Sequence, residues 1–460
     1  MTATMPTRVL IVGAGGREHA IAWKLASEPG INAVYVAPGS AAMEDEARVS
    51  ALPGVDPLSG ASVLAAARQV AAELVVIGPE APLAAGVADE LRLAGIAVFG
   101  PARGAARIES SKAFCHDVAR AAGVRMPRFG SFTDPASAAV FARTLGDGGR
   151  GVVIKADGLA AGKGVTVADD IDEALAAIEQ LALDASGTET FVVVEERLVG
   201  PEASLIAITD GRDVLAMPVA RDHKRLFEGD VGPNTGGMGA FSPLPDLDAD
   251  AIEGLLDTFH RPLLAELARR GSPFIGALYA GLILTDDGPV LLECNARFGD
   301  PETQAIMPRL AGPIGPLLLA AAGRGLRAAA TAAGIRGSVL PTLPGAAVAI
   351  VLAAAGYPDA VRRGDAISGL DAAVGGGALV FHAGTRRDAD STYLTNGGRV
   401  VAVVGRGDDL AAAADRADAA AALVSFRGAQ YRTDIARTSM APLGIGAPGL
   451  GAPAPAGGAR

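Results

Sequence analysis

The sequence of 460 residues contains very little cysteine and no block of basic residues. Its two cysteines, Cys115 and Cys294, form no CxxC pair, so we expect neither a disulfide framework nor a zinc site, and we predict a cytoplasmic location. The formal net charge is −11. A nucleic-acid partner is therefore not expected, because binding one requires a basic face that neutralises phosphates.

Long uninterrupted hydrophobic runs are also lacking. The apolar stretch 317–333 is broken by Arg324 and Arg327, which is not the pattern of a membrane-spanning helix. Residues 1–8 lead directly into a strand pattern rather than into the apolar core of a signal peptide. We therefore expect no membrane partner.

Apolar residues are present in quantity. They make up 50% of the chain, enough to build the cores of two to four domains of ordinary size. The first hundred residues alternate short apolar runs with helical stretches, which predicts a parallel α/β sheet. The candidate strands are 8–12, 33–36, 74–77 and 96–99, and the candidate helices are 20–27, 62–72 and 83–94.

The pattern changes after Gly100-Pro101. A strand, a Gly-rich loop, a strand, a helix and a strand follow within 152–198. Residues 222–242 have the composition of a long polar loop, a kind of segment that is usually functional or disordered. The tail 437–460 is almost all Ala, Gly and Pro, so we predict that it is disordered. Further strands are predicted at 277–284, 290–293, 347–352 and 399–404.

A Gly-rich turn, Val12-Gly-Ala-Gly-Gly-Arg-Glu-His19, joins the first strand to the first helix. In this setting backbone N–H groups and the helix dipole can hold a phosphate. A dinucleotide site would need a third Gly where Glu18 lies and an acidic residue in place of the sequence Tyr35-Val-Ala-Pro38, so an NAD-dependent oxidoreductase is disfavoured. A phosphate or sugar site with Arg17 and Glu18 at its rim and a tight turn without a ligand remain open.

Glu80 follows another strand, in the sequence Gly78-Pro-Glu80. At the carboxyl edge of a parallel sheet its carboxylate can accept hydrogen bonds from ribose hydroxyls. An exposed loop residue that caps the next helix fits the sequence equally well.

Three lysines occupy positions suited to the phosphates of a nucleotide. Lys112 begins a helix, Lys155 ends the apolar strand 152–155, and Lys163 lies in the loop Gly158-Leu-Ala-Ala-Gly-Lys-Gly164. Glycines let backbone amides approach phosphate oxygens, although no Ser or Thr follows Lys163 as a Walker A motif requires. A lysine in such a place is often a solvated surface residue, but Lys155 closes an apolar strand and needs a partner nearby.

The apolar strand 191–194 leads into Glu195-Glu-Arg-Leu198 and then Glu202. Backbone groups and Leu198 at this point can frame an adenine, and Glu202 can accept hydrogen bonds from ribose. A buried strand followed by a charged turn explains the same residues without a ligand.

The clearest metal signal is the sequence Glu293-Cys-Asn-Ala-Arg297. Alternate residues of a strand share a face, so Glu293, Asn295 and Arg297 are predicted to point one way and Cys294 the other. Oxygen ligands from Glu293 and Asn295 suit Mg²⁺, and Arg297 suits a planar grip on phosphate or carboxylate. With the three lysines, these residues predict a site for ATP and Mg²⁺.

These motifs, in this order, resemble the ATP-grasp ligases, and most closely the phosphoribosylamine–glycine ligase family. The resemblance spans about residues 8–435. Its most specific segments are Asp222-His-Lys-Arg-Leu-Phe and Gly232-Pro-Asn-Thr-Gly-Gly-Met-Gly239. Arg221 departs from the family pattern, in which Gln is frequent at that position.

The resemblance implies an α/β fold (α+β overall) in three domains. They are an N-terminal parallel α/β pre-ATP-grasp domain (1–109), a two-lobed ATP-grasp core (110–330, smaller lobe about 127–197) and a small mixed C-terminal domain (331–436).

The resemblance also implies roles for individual residues, with Lys155 and Arg297 as the catalytic pair. ATP would be held by Lys112, Lys155, Gly162, Lys163, Gly164, Glu195, Glu196, Leu198 and Glu202. The substrates would be held by Gly15, Gly16, Arg17, Glu18, Glu80, Asp222, Lys224, Asn234, Gly236, Gly237 and Met238. Glu293 and Asn295 would bind Mg²⁺, for which Mn²⁺ is an alternative.

The reaction implied is the ATP-dependent joining of glycine to 5-phosphoribosylamine through glycyl phosphate, in de novo purine biosynthesis, by a monomer or a small homo-oligomer. Another ATP-grasp ligase with a different carboxylate or amine, and a nucleotide-binding regulator without turnover, remain alternatives. The residues by themselves predict the ATP–Mg²⁺ site, whereas the reaction and its substrates follow from the resemblance alone.

Overall fold

The computed structural model of the protein describes residues 4–159, 164–184 and 192–437. The predicted phosphate-loop residues Gly162 and Lys163 and the tail from residue 438 onward lie outside these ranges. Within the described residues, no helix is both long enough and apolar enough to cross a membrane.

The N-terminal region is a five-stranded parallel sheet with the order β3-β2-β1-β4-β5. Five of the six residues of β1 are buried, as expected for a central parallel strand covered on both faces. The predicted helix 83–94 is wrong as a single element, because the chain turns at Gly86 with φ +90° and forms two helices. The elements are β1 (Arg8–Gly13), α1 (Gly16–Ala26), β2 (Ala33–Pro38), β3 (Val49–Ala51), α2 (Gly60–Gln69), β4 (Leu74–Ile77), α3 (Glu80–Ala85), α4 (Val87–Leu93), β5 (Val98–Phe99) and α5 (Arg103–Ser110).

A small lobe follows the helix α6 (Lys112–Ala121). Its four-stranded antiparallel sheet has the order β6-β9-β7-β8, and its helices bury a separate apolar core that includes Ala138, Ile154, Ile178 and Val194. The lobe consists of β6 (Phe129–Phe132), α7 (Pro135–Leu145), β7 (Val152–Ala156), β8 (Val165–Ala168), α8 (Ile171–Asp184) and β9 (Val192–Glu196).

The following region is built on an antiparallel sheet with the order β11-β10-β16-β17. The predicted long loop 222–242 is wrong, because most of it forms strands, including a hairpin of β13 and β14 that turns at Gly229 with φ +72°. The elements are β10 (Glu202–Thr209), β11 (Val214–Ala216), β12 (Arg221–Asp222), β13 (Arg225–Phe227), β14 (Val231–Asn234), β15 (Gly239–Ser242), α9 (Ala249–Leu255), α10 (Arg261–Arg269), β16 (Gly276–Thr285), β17 (Gly288–Asn295), α11 (Glu302–Ile306), α12 (Gly315–Ala322) and α13 (Leu326–Ala332).

The last sheet has the order β12-β15-β18-β22-β19. It combines two strands from the middle of the chain with three from the C-terminal region, so it crosses the domain boundary predicted at residue 330. The domain boundaries themselves remain predictions. The C-terminal elements are β18 (Ala346–Ala353), α14 (Leu370–Gly375), β19 (Leu379–His382), β20 (Thr385–Arg387), β21 (Tyr393–Thr395), β22 (Arg399–Gly407) and α15 (Leu410–Leu423).

Candidate active site

A cavity of about 810 Å³ lies where the N-terminal sheet, the small lobe and the β11-β10-β16-β17 sheet meet. The predicted site residues that line it are Arg17, Glu80, Lys112, Lys155, Gly164, Glu195, Glu196, Leu198, Glu202, Asp222, Lys224, Asn234, Gly236, Glu293, Asn295 and Arg297. Five other predicted residues do not line it, namely Gly15, Gly16, Glu18, Gly237 and Met238.

Lys155 enters the cavity from β7 and has the partner that its position required. Its Nζ lies 2.8 Å from Glu195 Oε2 on the neighbouring strand β9, and it donates to the carbonyl oxygen of Leu292 at 3.1 Å. The other oxygen of Glu195 lies 2.8 Å from His116 Nε2. Burial favours protonated Glu195, but Lys155 and the hydrogen bond with His116 outweigh it and lower the pKa of Glu195.

His116 is a member of this group that sequence reasoning missed. It lies on α6, is 2% exposed, and stacks on the ring of Phe129 with the ring centroids 3.6 Å apart. A lone histidine on a helix carries no signal of such a role, because its partners lie on strands distant in sequence. The Glu195 carboxylate is thus held between a histidine and a lysine, and both of its oxygens are occupied.

Lys112 reaches the same cavity from the first turn of α6. Its Nζ donates to the carbonyl oxygen of Gly158 at 2.6 Å, and burial lowers its pKa. Asp157 accepts hydrogen bonds from the backbone N–H of Lys112 and from the Ser111 hydroxyl, the latter at 3.2 Å. Asp157, which the sequence analysis did not single out, therefore ties the start of α6 to the segment that leads into the Gly-rich loop.

Glu293 and Asn295 lie at the end of β17, and both line the cavity as the alternating pattern predicts. The alternation is not perfect, since a β-bulge pairs Leu282 with Leu291 but Gly281 with Glu293. Leu292, the extra residue, and Cys294 also line the cavity, so the prediction that Cys294 points the other way is not supported.

The electrostatic surroundings keep Glu293 ionised. Burial opposes ionisation, but Lys224, Lys155 and Lys112 together lower the pKa of Glu293 to about 2. Among the described residues no group of three or more His, Cys, Asp or Glu side chains could hold a metal by itself. A carboxylate and an amide oxygen from Asn295 fit an ion such as Mg²⁺, which keeps waters and takes phosphate oxygens as its other ligands.

Arg297 lies two residues beyond the end of β17. The prediction that it lies on the strand is therefore wrong. Its guanidinium is 3.1 Å from Glu109 Oε1 and 3.3 Å from Glu80 Oε2. Burial opposes the charge, but these two carboxylates raise the pKa of Arg297 above its ordinary value. Glu80, predicted as a ligand for substrate hydroxyls, thus helps to hold an arginine that faces the cavity, and Glu109 is a second such residue that sequence reasoning missed.

The Gly-rich turn differs from its prediction. Glu18 is 2% exposed, accepts a hydrogen bond from the Gly15 N–H at 2.7 Å, and contacts Arg17 Nε at 2.5 Å. A Cβ atom at Gly78 would lie 2.1 Å from Glu18 Oε1. The predicted rim position of Glu18 is therefore wrong, because its carboxylate fills the inside of the turn and takes an N–H group that a phosphate would need. Arg17 is also buried, although it lines the cavity.

Lys224 lies between two carboxylates, Glu202 at the start of β10 and Glu293 near the end of β17. Its Nζ is 2.9 Å from Glu202 Oε2 and 3.7 Å from Glu293 Oε1. Burial, opposed by Lys224 and reinforced by Glu302, raises the pKa of Asp222 to about 8. This part of the cavity therefore combines one lysine with a surplus of carboxylates.

Tyr279 and Glu302 complete that end of the cavity. Both are linked to the buried Ser204 hydroxyl, which lies 2.9 Å from the Tyr279 hydroxyl and donates to Glu302 Oε1 at 3.0 Å. The Ser204 hydroxyl that joins them had no sequence signal.

The segment after β14 connects the hairpin to its surroundings. Asn234 Nδ2 donates to the carbonyl oxygen of Val165 in the small lobe at 3.1 Å, and the Gly236 N–H donates to the Tyr357 hydroxyl at 3.0 Å. Asn234 and Gly236 therefore line the cavity while joining three parts of the fold.

The next two residues are placed differently. Gly237 has φ +107°, and a Cβ atom there would lie 2.4 Å from Pro301 Cδ, so glycine is required by the close packing. Met238 is fully buried and packs with Leu226 and Ala353. The assignment of Met238 to substrate contact is not supported, because its apolar side chain contributes to the core beneath the loop.

A buried arginine near the end of the described chain clasps the hairpin of β13 and β14. Arg432 is 0% exposed and makes a two-pronged contact with Asp434, with both N–O distances 2.7 Å. It also contacts Asp230 Oδ1 at 2.7 Å and donates to the Arg225 carbonyl oxygen at 3.0 Å. The Gly229 N–H donates in turn to Asp434 at 2.8 Å. Sequence reasoning missed this clasp entirely.

Family models match most of the chain. The N domain of phosphoribosylglycinamide synthetase matches residues 7–109, its ATP-grasp (A) domain matches 110–303, and its C domain matches 347–438. These matches confirm the predicted resemblance and the predicted fold class, in which a parallel N-terminal sheet precedes an ATP-grasp core and a C-terminal domain. ATP and a divalent metal are the cofactors that this family implies.

Individual proteins agree with the family models. A phosphoribosylamine–glycine ligase of Streptomyces coelicolor is 47% identical over 432 residues, which cover 93% of this chain and 98% of that protein. A crystal structure of a phosphoribosylamine–glycine ligase from Thermotoga maritima has a TM-score of 0.74 at 33% identity, covering 93% of this chain and 100% of that chain. A biotin carboxylase domain from Hydrogenobacter thermophilus, solved with MgADP, shares the fold alone, with a TM-score of 0.66 at 16% identity. The chain therefore belongs to the phosphoribosylglycinamide synthetase family and is an ATP-grasp ligase of purine biosynthesis.

Proposed function

We propose that this ligase joins glycine to 5-phosphoribosylamine, giving glycinamide ribonucleotide, ADP and phosphate. The observation that carries the proposal is that Lys112 and Lys155 line one cavity together with Asp222 and Lys224, the residues of the most specific family motif. Relatives named phosphoribosylamine–glycine ligase support the choice of substrates.

We assign the ATP phosphates to Lys112, Lys155 and Gly164, with Gly162 and Lys163 of the same loop. The adenine edge is assigned to backbone groups of 195–198, because the Glu195 carboxylate is already held by Lys155 and His116. Leu198 and Glu196 form the wall of this pocket, and Glu202 binds the ribose hydroxyls in exchange for its contact with Lys224.

Glu293 and Asn295 are proposed to hold the divalent ion, Mg²⁺ or Mn²⁺, both of which take oxygen ligands of this kind. When bound, the ion neutralises charge on the phosphate oxygens. Arg297, held by Glu80 and Glu109, keeps a fixed positive charge at the same end of β17.

The reaction runs in two steps. A glycine carboxylate oxygen attacks the γ-phosphorus of ATP, the bond to the β,γ-bridging oxygen breaks, and ADP leaves. The amine nitrogen of phosphoribosylamine then attacks the carbonyl carbon of glycyl phosphate, phosphate leaves, and the nitrogen loses a proton. The enzyme contributes mainly positioning and charge stabilisation, which Lys155 and Arg297 supply.

The carboxylate-rich end of the cavity suits amine substrates. Glu302 attracts a protonated amine, and Lys224 attracts a carboxylate or phosphate. The raised pKa of Asp222, about 8, leaves its carboxyl mostly protonated at neutral pH, so it can donate a hydrogen bond to a substrate oxygen. Arg17, Asn234 and Gly236 are proposed to complete the substrate contacts. Gly15, Gly16, Glu18 and Gly237 act by shaping the turn and the loop behind these contacts.

The test is ADP release from Mg–ATP with glycine and freshly prepared phosphoribosylamine, each omitted in turn. Release should require glycine and should rise when both substrates are present; release that ignores both would refute the proposal. Glu293→Ala should abolish metal-dependent turnover, whereas Asp286→Ala, an exposed acid in the turn between β16 and β17, should not. The cytoplasmic location and the monomer or small homo-oligomer remain predictions.

A further inference from the structure

We propose that a second cavity, separate from the ATP site, binds a small phosphorylated anion. This cavity measures about 290 Å³ and lies between the short helical turn Met307–Arg309, the segment 343–346, the end of β22 and the middle of α15. Three arginines line it, Arg309, Arg406 and Arg416. None of its lining residues lines the ATP cavity.

Arg309 is the buried member of the three. It is 8% exposed, and its NH1 group donates to the neutral hydroxyl of Ser242 at 2.9 Å. Among the described residues its Nε finds no hydrogen-bond partner, and no carboxylate pairs with it. Burial lowers its pKa, and no neighbouring anion opposes that shift. A buried guanidinium without a counter-charge is costly, and a bound anion would relieve that cost.

Arg406 and Arg416 bring two more guanidinium groups to the same cavity. Both are exposed, and the Arg416 side chain donates to the backbone carbonyl oxygen of Arg406. Neither forms a salt bridge within the described part of the chain. Asp408 is the single carboxylate among the lining residues, so the cavity carries a net positive charge on a protein whose formal charge is −11.

The chemistry and the size of the cavity select the ligand class. Planar guanidinium groups suit the paired oxygens of a phosphate, and three of them suit a dianion better than a single carboxylate. A volume of about 290 Å³ is at the lower limit of ordinary ligand pockets, so it matches a phosphate, a pyrophosphate or a sugar phosphate. Pro308, Leu343 and Pro344 form its apolar wall, and no aromatic ring among the lining residues offers a stacking surface for a nucleobase.

The test is calorimetric titration of the full-length enzyme with pyrophosphate, in excess Mg–ADP to occupy the ATP cavity and at constant ionic strength set with chloride. We expect saturable binding to the natural protein. Arg406→Ala with Arg416→Ala should weaken it about 100-fold, since each lost charge-assisted contact is worth roughly a factor of ten. Arg363→Ala, an exposed arginine outside the cavity, is the matched control and should bind normally.

Both substituted arginines are exposed, so the double variant should fold and retain ligase activity. Arg309→Met should cause a similar loss of binding, but the double variant decides the question even if Arg309→Met fails to fold. Absence of saturable binding to the natural protein, or unchanged affinity in the double variant, would overturn the proposal.

Discussion

Replacing Arg432 with Met should loosen the hairpin of β13 and β14 without unfolding the N-terminal sheet. The substitution keeps much of the apolar side-chain volume but removes the guanidinium hydrogen bonds to Arg225, Asp230 and Asp434. The exposed hydrogen bonds from the Gly229 N–H to Asp434 and from Thr433 to Glu228 remain. The substitution also leaves Asp434, only 17% exposed, without its counter-charge.

The magnitude follows from the exposure of each partner. Asp230 is 59% exposed, so its ion pair with Arg432 contributes at most about 1 kcal/mol. Breaking a buried pair by removing one partner costs about 3–5 kcal/mol, and the two-pronged contact with Asp434 is close to that case. We therefore expect a loss of about 3 kcal/mol in the local stability of the hairpin, which is roughly a 100-fold loss of amide protection.

The assay is native-state hydrogen exchange followed by mass spectrometry. A peptide covering residues 225–234 reports on the hairpin, and a peptide over β1 provides the internal reference. The KM for glycine should rise in the same variant, because Lys224 directly precedes the hairpin.

Two further variants make the outcome decisive. Arg437→Met removes an exposed arginine that pairs with Asp415 and Asp418, and it should leave hairpin exchange unchanged. Arg432→Lys keeps the positive charge but cannot make the two-pronged contact with Asp434, so an intermediate loss of hairpin protection is expected. Unchanged hairpin protection in Arg432→Met, or an equal loss in the β1 peptide, would refute the clasp as a local device.

Three other outcomes are expected. In steady-state kinetics, Glu195→Gln should raise the KM for ATP about tenfold or more, because Lys155 loses its anionic partner. Glu253→Gln, which breaks a pair with Arg261 outside the cavity, should have little effect. Chelation of divalent ions should abolish ADP release, and added Mg²⁺ should restore it; full activity in the chelator would contradict the metal assignment. Burial lowers the pKa of His260 from 6.5 to about 4. The free energy of unfolding should therefore fall as the pH drops from 6.5 toward 4, by up to about 1.4 kcal/mol per pH unit. Denaturant titrations of His260→Gln should show a weaker dependence of this free energy on pH.

The strands of the N-terminal sheet were predictable because each is a short apolar run bounded by turn residues. The shared direction of Glu293 and Asn295 was predictable because alternate residues of a strand lie on the same face, which can be read from their spacing in the sequence. The prediction that Lys155 has a partner nearby was also correct, because a charge at the end of a buried strand must be compensated. The identity of that partner was not predictable, as Glu195 lies on a strand that follows only after an intervening helix.

The misses share one physical cause. Glu109, His116 and Arg432 act through partners that are distant in the chain, and only packing brings those partners together. Glu18 shows the same limit within one turn: its charge predicted a position at the rim, whereas the glycines around it leave room for a buried carboxylate. The polar residues of a sequence therefore indicate where a site lies. They do not indicate as well which of those residues contact the ligand and which hold other residues in place.

The sheet order β12-β15-β18-β22-β19 has a consequence for how the protein is made. Phe241 pairs with Val348, so about a hundred residues must be synthesised after β15 before its partner strand exists. Until then β15 presents an open edge, while the small lobe, whose core is its own, already has all of its strands. On the ribosome the small lobe should therefore fold early, and the middle of the chain should wait for the C-terminal region. A fragment that begins at residue 331 would lack two of the five strands of its sheet, so separating the C-terminal region from the rest should yield an aggregating product.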